Sequence, residues 1–281
     1  MAIPVRDDSP RREVPWVVLT LIAVNVFVFL FLQPPALQRG GADTGHLTEE
    51  ESRELAEHFS GWGAVPCEIK VMESRAEGAR CTSDGDHPII DRKPVPFTLL
   101  TSMFLHGGIL HLTVNMLFLW VFGAAVEGRL GPGGFAVLYL LGGVAGTLTY
   151  VAVNPGSAAP VVGASGAVSA AMGAYLWIGP RRRILSIVAP LPLAGLVLPA
   201  WALIGPYAVS QFLTPDDATI AWQAHVGGLV AGFVLAVLFT LGGSVAARRR
   251  RRREAADAPI DPASWTLPDR PPVTSGVRPQ M

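Results

Sequence analysis

A serine hydroxyl, two imidazoles and a carboxamide stand inside long apolar runs beyond residue 100, and their types are those of nucleophilic acyl chemistry. Ser165 lies in Gly163-Ala164-Ser165-Gly166-Ala167, flanked by residues with little or no side chain at the head of an apolar run. Its hydroxyl is accessible, and backbone N–H groups at a helix start have no partner within that helix. The nucleophile elbow of soluble hydrolases is different: here Ala167 stands two after the serine and no strand-like run precedes it. Small residues also line closely packed membrane helices, so the pentapeptide alone reads foremost as a packing seam.

His111 and Asn115 are i and i+4 and share a helix face. His225, Gly228 and Gly232 share another face, at i, i+3 and i+7. The two glycines let their helix approach another backbone closely, and the small seam around Ser165 is the natural partner. That packing puts His225 opposite Ser165. Each polar residue taken singly also fits a structural hydrogen bond between membrane helices.

The elements that must bring these groups together are membrane helices. Half of the 281 residues are hydrophobic and 16% are charged. Residues 16–32, 109–126, 133–153, 161–179, 184–208 and 222–243 each approach or exceed the roughly 20 apolar residues that cross a bilayer as a helix. The expected fold is all-α, a polytopic bundle of six transmembrane helices. Runs of this length without period-2 alternation exclude a barrel.

Net charge is zero, but charge position is informative. With the N-terminus inside, the cytoplasmic segments hold Arg6, Arg11 and Arg12, then Arg129, then Arg181 to Arg183, then Arg248 to Arg253. The positive-inside rule therefore places both termini in the cytoplasm of a multi-pass cell-membrane protein, and composition suits a bacterial one. The arginine run reads as a topology anchor attracted to anionic lipid, with no nucleic-acid partner implied. Residues 1–15 are a cytoplasmic leader and 16–32 a retained first span, since no small-x-small cleavage pattern follows it.

Residues 33–97 form an extracytoplasmic insertion with 12 acidic and 7 basic residues. Thr48-Glu49-Glu50-Glu51 resembles a capping box and predicts one short amphipathic helix. Cys67 and Cys81, the two cysteines of the chain, both fall here; a disulfide across this loop would be worth about 3 kcal/mol in the chain-entropy model. Residues 97–108 read as interfacial. Residues 98–243 complete the core with five spans. Pro190, Pro192 and Pro199 should kink or loosen the fifth of the six spans, which makes it a candidate gate. Glu127 and Arg129 read as a structural pair at the inner end of the second span. Residues 244–281 are an arginine-rich tail, disordered beyond the arginines. No repeat or paired broken helices suggest a transporter, and no cofactor is implied.

His111-x-x-x-Asn115, Gly163-x-Ser165-Gly166 and Ala224-His225-x-x-Gly228, in that order on three membrane helices, resemble the rhomboid family of intramembrane serine proteases. Phe104-Leu105-His106-Gly107-Gly108 looks like the family's loop before the second helix, and Glu127-Gly128-Arg129 like its charged end. The resemblance covers about residues 97–243. It implies Ser165 as nucleophile and His225 as general base of a dyad. His111, Asn115 and the backbone N–H groups of Gly163 and Ser165 would form the oxyanion hole, with His106 a structural loop residue. Substrates would be single-span membrane proteins cleaved in or near their transmembrane helices. Two rivals stand beside this: a rhomboid-like client-binding protein without activity, and a metal or transport site built on His106, His111 and His225. The second leaves the Asn115 and Ser165 pattern unexplained.

Overall fold

The computed structural model describes residues 2–7, 14–39, 47–74, 94–188, 195–215 and 220–256. Two units are distinguished, Met1–Thr240 and Leu241–Met281, and every contact below lies in the first. The described residues are mostly helical. Helix α1 (Trp16–Phe27) continues as a π turn over Val28–Leu32. The insertion supplies α2 (Glu49–Trp62) and α3 (Pro66–Ser74). Then come α4 (Val95–Thr101), α5 (Ile109–Phe118), a π turn over Leu119–Gly123, α6 (Ala124–Val153) and α7 (Ser165–Ile178). Helices α8 (Ala200–Gln211) and α9 (Trp222–Ala256) complete the set.

Two helical stretches, Ile109–Val153 and Trp222–Gly242, are long and apolar enough to cross a membrane. Shorter apolar helices occupy Trp16–Leu32, Val95–Phe104 and Ser165–Ile178. The first stretch has 45 residues, about 68 Å at 1.5 Å per residue and more than twice the ~30 Å hydrocarbon core. It is broken at Gly131, whose φ of 77° and ψ of 166° are not helical, directly before Pro132.

The fifth apolar run departs from expectation, and with it the all-α reading. Residues 183–199 hold strands β2 (Arg183–Val188) and β3 (Gly195–Pro199), which pair antiparallel. Strand β1 (Ala2–Asp7), in the N-terminal leader, pairs antiparallel with the other edge of β2, giving the order β1-β2-β3. Hydropathy alone does not separate a buried strand from a helix. The run Ile184-Leu185-Ser186-Ile187-Val188 is rich in β-branched residues, which favour a pleated surface. Only the last part of the expected span, α8, is helical. Its internal proline is Pro206; Pro199 is the N-cap, and Pro190 and Pro192 lie outside the described residues.

In the insertion, Thr48 and Glu51 form the expected capping box on α2. The Glu51 N–H donates to Thr48 Oγ1 at 3.2 Å, and the Thr48 N–H to Glu51 Oε2 at 2.9 Å. These bonds and the neighbouring Arg39 guanidinium hold the Glu51 carboxyl below its ordinary range. Cys67 is disulfide-bonded; Cys81 lies outside the described residues.

Glu127 makes a contact that its neighbour Arg129 does not explain. Its side chain is buried, and its two carboxyl oxygens accept the N–H groups of Val17 at 3.0 Å and Val18 at 2.9 Å. The acidic residue of one helix thus caps the start of α1, where backbone donors lack intrahelical partners and the helix dipole favours negative charge. Glu127→Ala leaves these donors buried and unsatisfied and is expected to destabilise the fold by about 1–3 kcal/mol. A lowered unfolding midpoint in detergent, with Arg129→Ala much milder, is the result that checks it.

Candidate active site

The site is assembled where three helices cross with their backbones nearly touching. A Cβ on Gly146 of α6 would lie 3.3 Å from Gly166 Cα and 3.4 Å from the Gly228 nitrogen. One on Gly228 would stand 2.1 Å from the Gly166 carbonyl oxygen, and one on Gly232 1.9 Å from that of Ala170. The small seam of α7 and the glycine face of α9 therefore pack as their spacing predicts, and they bring His225 over Ser165.

His225 Nε2 lies 2.9 Å from Ser165 Oγ. Ser165 opens α7, both side chains are half-buried, and the first backbone bond of that helix runs from the Val168 N–H to Ala164 O at 2.9 Å. The Ser165 N–H consequently has no acceptor in its own helix.

His111 and Asn115 flank the serine from α5. The Gly107 N–H donates to His111 Nδ1 at 3.3 Å. A neutral His111 that accepts at Nδ1 carries its proton on Nε2. That nitrogen faces Gly163: a Cβ there would be 2.9 Å from it and 3.6 Å from Ser165 Oγ. Gly163 also has φ of +123°, which side-chain-bearing residues rarely adopt, so the position is restricted to glycine twice over. Its N–H donates to Ser102 O at 2.8 Å, so in this structure Gly163 shapes the pocket while its donor is engaged. Asn115 is buried, and its Nδ2 donates to His111 O at 2.8 Å.

His106 is fully enclosed, its ring edge-on to His111 with centroids 5.2 Å apart. Its backbone is stapled by Gln33, whose Nε2 donates to His106 O at 2.8 Å and whose Oε1 accepts the His106 N–H at 3.0 Å. Burial, reinforced by His111, pushes the His106 imidazole down to about 3, so it stays neutral at physiological pH. Among the described residues no group of three His, Cys, Asp or Glu could hold a metal ion.

Two side chains of α8 were not legible as site residues. Gln211 is buried and places Oε1 2.7 Å from His225 Nδ1. The Tyr207 ring lies tilted by 31° against His225, centroids 6.3 Å apart, and its hydroxyl is 3.1 Å from Ser169 Oγ. Only their turn-spacing on one helix hinted at a common face. A cavity of about 1120 Å³ opens onto Ser165, His225, His111 and Asn115 and is walled by apolar groups including Val114, Phe118, Phe122, Met172 and Leu203. It is large enough for several residues of an extended peptide.

The loop before Ser165 is held from outside the bundle. Ala64 and Val161 exchange both backbone bonds, at 3.2 and 2.8 Å, and the Cys67 N–H donates to Ser157 O at 3.1 Å.

The Rhomboid domain model matches residues 94–242. The chain is 34% identical over 145 residues to the Rhomboid protease GluP of Bacillus subtilis, covering 51% of this chain and 26% of that protein. It is 35% identical over 135 residues to the Rhomboid protease GlpG of Serratia proteamaculans, covering 47% and 44%. It is 29% identical over 147 residues to Inactive rhomboid protein 1 of Drosophila melanogaster, covering 52% and 9%. The chain thus spans less than half the length of each of these relatives.

Proposed function

The chain belongs to the rhomboid family of membrane proteins, and on that premise we propose that it is an intramembrane serine endopeptidase acting through Ser165 and His225. The observation that carries the reading is the 2.9 Å contact between Ser165 Oγ and His225 Nε2 in the lining of a largely apolar cavity. His225 takes the hydroxyl proton as Ser165 attacks a peptide carbonyl, and then delivers it to the leaving amine. The acyl-enzyme is released by water, whose proton passes to His225 and on to Ser165.

Negative charge that develops on the carbonyl oxygen is met by the Ser165 N–H, by His111 Nε2–H and, after rotation away from the His111 carbonyl, by the Asn115 amide. Substrates are single-span membrane proteins whose helices unwind near their outer end, since an intact helix hides its carbonyls in hydrogen bonds. The arginine distribution supports a cell-membrane protein with both termini cytoplasmic. No cofactor is required.

The test is cleavage of a model single-span substrate by the reconstituted protein, with fluorophosphonate labelling of Ser165. Asn115→Ala should lower turnover by on the order of 10²–10³ while labelling persists at a reduced rate. Absence of both cleavage and labelling in wild type would make this a client-binding relative without activity.

A further inference from the structure

We infer that Gln211 is a positioning residue that fixes the tautomer of His225; the inference rests on the dyad reading and extends it to a third side chain. Among the described residues no carboxylate reaches His225, whose ring nitrogens meet Gln211 Oε1 and Ser165 Oγ. The Arg39–Glu51 and Arg53–Glu57 pairs lie in the insertion, and Glu127 caps α1.

The orientation of the Gln211 amide is set by its other contacts. Its Nε2 stands 3.1 Å from the Tyr207 carbonyl oxygen and 3.3 Å from Ser210 Oγ. The Ser210 hydroxyl donates to that same carbonyl at 2.7 Å, which leaves Ser210 Oγ an acceptor toward Gln211. Both contacts require a donor, so they must face the NH₂ group. The Oε1 atom is thereby turned to His225 Nδ1 at 2.7 Å, where it can only accept. A neutral His225 must then carry its proton on Nδ1 and leave Nε2 unprotonated toward Ser165 Oγ. That is the form able to take the hydroxyl proton.

The orienting partner is neutral, which suits its setting. Gln211 is buried, and among the described residues the titratable side chains facing His225 are Tyr207 from α8 and His111 from α5. A carboxylate here would be charged and poorly solvated, whereas the amide supplies direction without charge. Its effect should be smaller than the ~10⁴ lost when a charged orienting group is disabled.

The experiment uses the full-length protein, ¹⁵N-labelled at histidine in detergent micelles, with His225 assigned by the signals lost in His225→Gln. Wild type should show Nδ1 protonated and Nε2 bare, and Gln211→Met, of similar length but without an acceptor, should give mixed tautomers. In proteoliposomes Gln211→Met should lose on the order of 10–10² in kcat with KM within about twofold. Gln211→Glu should recover most of kcat, because burial favours the neutral carboxyl, which donates to the Tyr207 carbonyl oxygen and accepts the same N–H. If Gln211 merely pinned α8 through its NH₂ group, Gln211→Met would lose kcat yet keep the wild-type tautomer. That result overturns the inference, as does an Nε2-protonated His225 in wild type or wild-type kcat in Gln211→Met. A wild type that cleaves nothing yet shows the Nδ1–H tautomer, lost in Gln211→Met, would overturn the protease reading and leave the positioning role standing.

Discussion

Ser165→Ala and His225→Ala are each expected to abolish cleavage, by on the order of 10⁶ in kcat, and the double variant should be no worse than either one. The reason lies in the 2.9 Å contact between Oγ and Nε2. A serine hydroxyl without its base is a poor nucleophile at neutral pH, and a base without its nucleophile has nothing to deprotonate. The two side chains act as one unit, so the second loss costs little after the first. Turnover of a single-span substrate in proteoliposomes is the measurement, with unfolding midpoints alongside. Both side chains are only half-buried, so the variants should unfold close to wild type. More than about 1% residual activity in Ser165→Ala would sink the assignment of the nucleophile.

The second large effect is structural in origin and catalytic in outcome. Gly228→Val and Gly232→Val should fail to give a folded protein, because their Cβ atoms would meet backbone carbonyl oxygens at 2.1 and 1.9 Å. Backbone cannot rotate aside as a side chain does, so the cost should reach or exceed the ~3 kcal/mol upper range for overpacked cores. The smaller Gly228→Ala can be accommodated only by moving α9 away from α7. It should therefore retain helix content but lose fluorophosphonate reactivity, since that displacement also lifts His225 from Ser165. By contrast Gly205→Ala, where a Cβ meets nothing within 4 Å, should leave both unchanged. Yield of folded protein and rate of labelling read the two effects separately, and full reactivity in Gly228→Ala would contradict the close-approach argument.

These positions show what a sequence can and cannot reveal about this fold. The glycine face of α9 and the small seam of α7 were readable, because i, i+3 and i, i+4 spacing maps directly onto a helix surface. The capping box at Thr48 was readable because it is local. The strands β2 and β3 were not. A hydropathy window over residues 184–208 sums apolar content and passes over the β-branched composition that turns it into a pleated pair. Gln211 was illegible for another reason. Its partner stands 14 residues on, in another helix, and nothing in a lone glutamine distinguishes an orienting acceptor from a surface amide. Glu127 was noticed for its charge and assigned to its neighbour Arg129, whereas its contacts are backbone donors 109 and 110 residues away.

The short antiparallel bridge between Ala64 and Val161 sets how the molecule opens. It joins the stretch between α2 and α3 to the loop that ends at Gly163, whose own N–H is held by Ser102. A loop of residues 154–164 closed only by its ends would fray on its own, exposing its amides in brief local excursions. Sewn to the insertion, it fluctuates with a much larger body. Exposure of the Val161 amide then requires release of Ala64 as well, and the insertion and the serine-bearing loop behave as one cooperative segment.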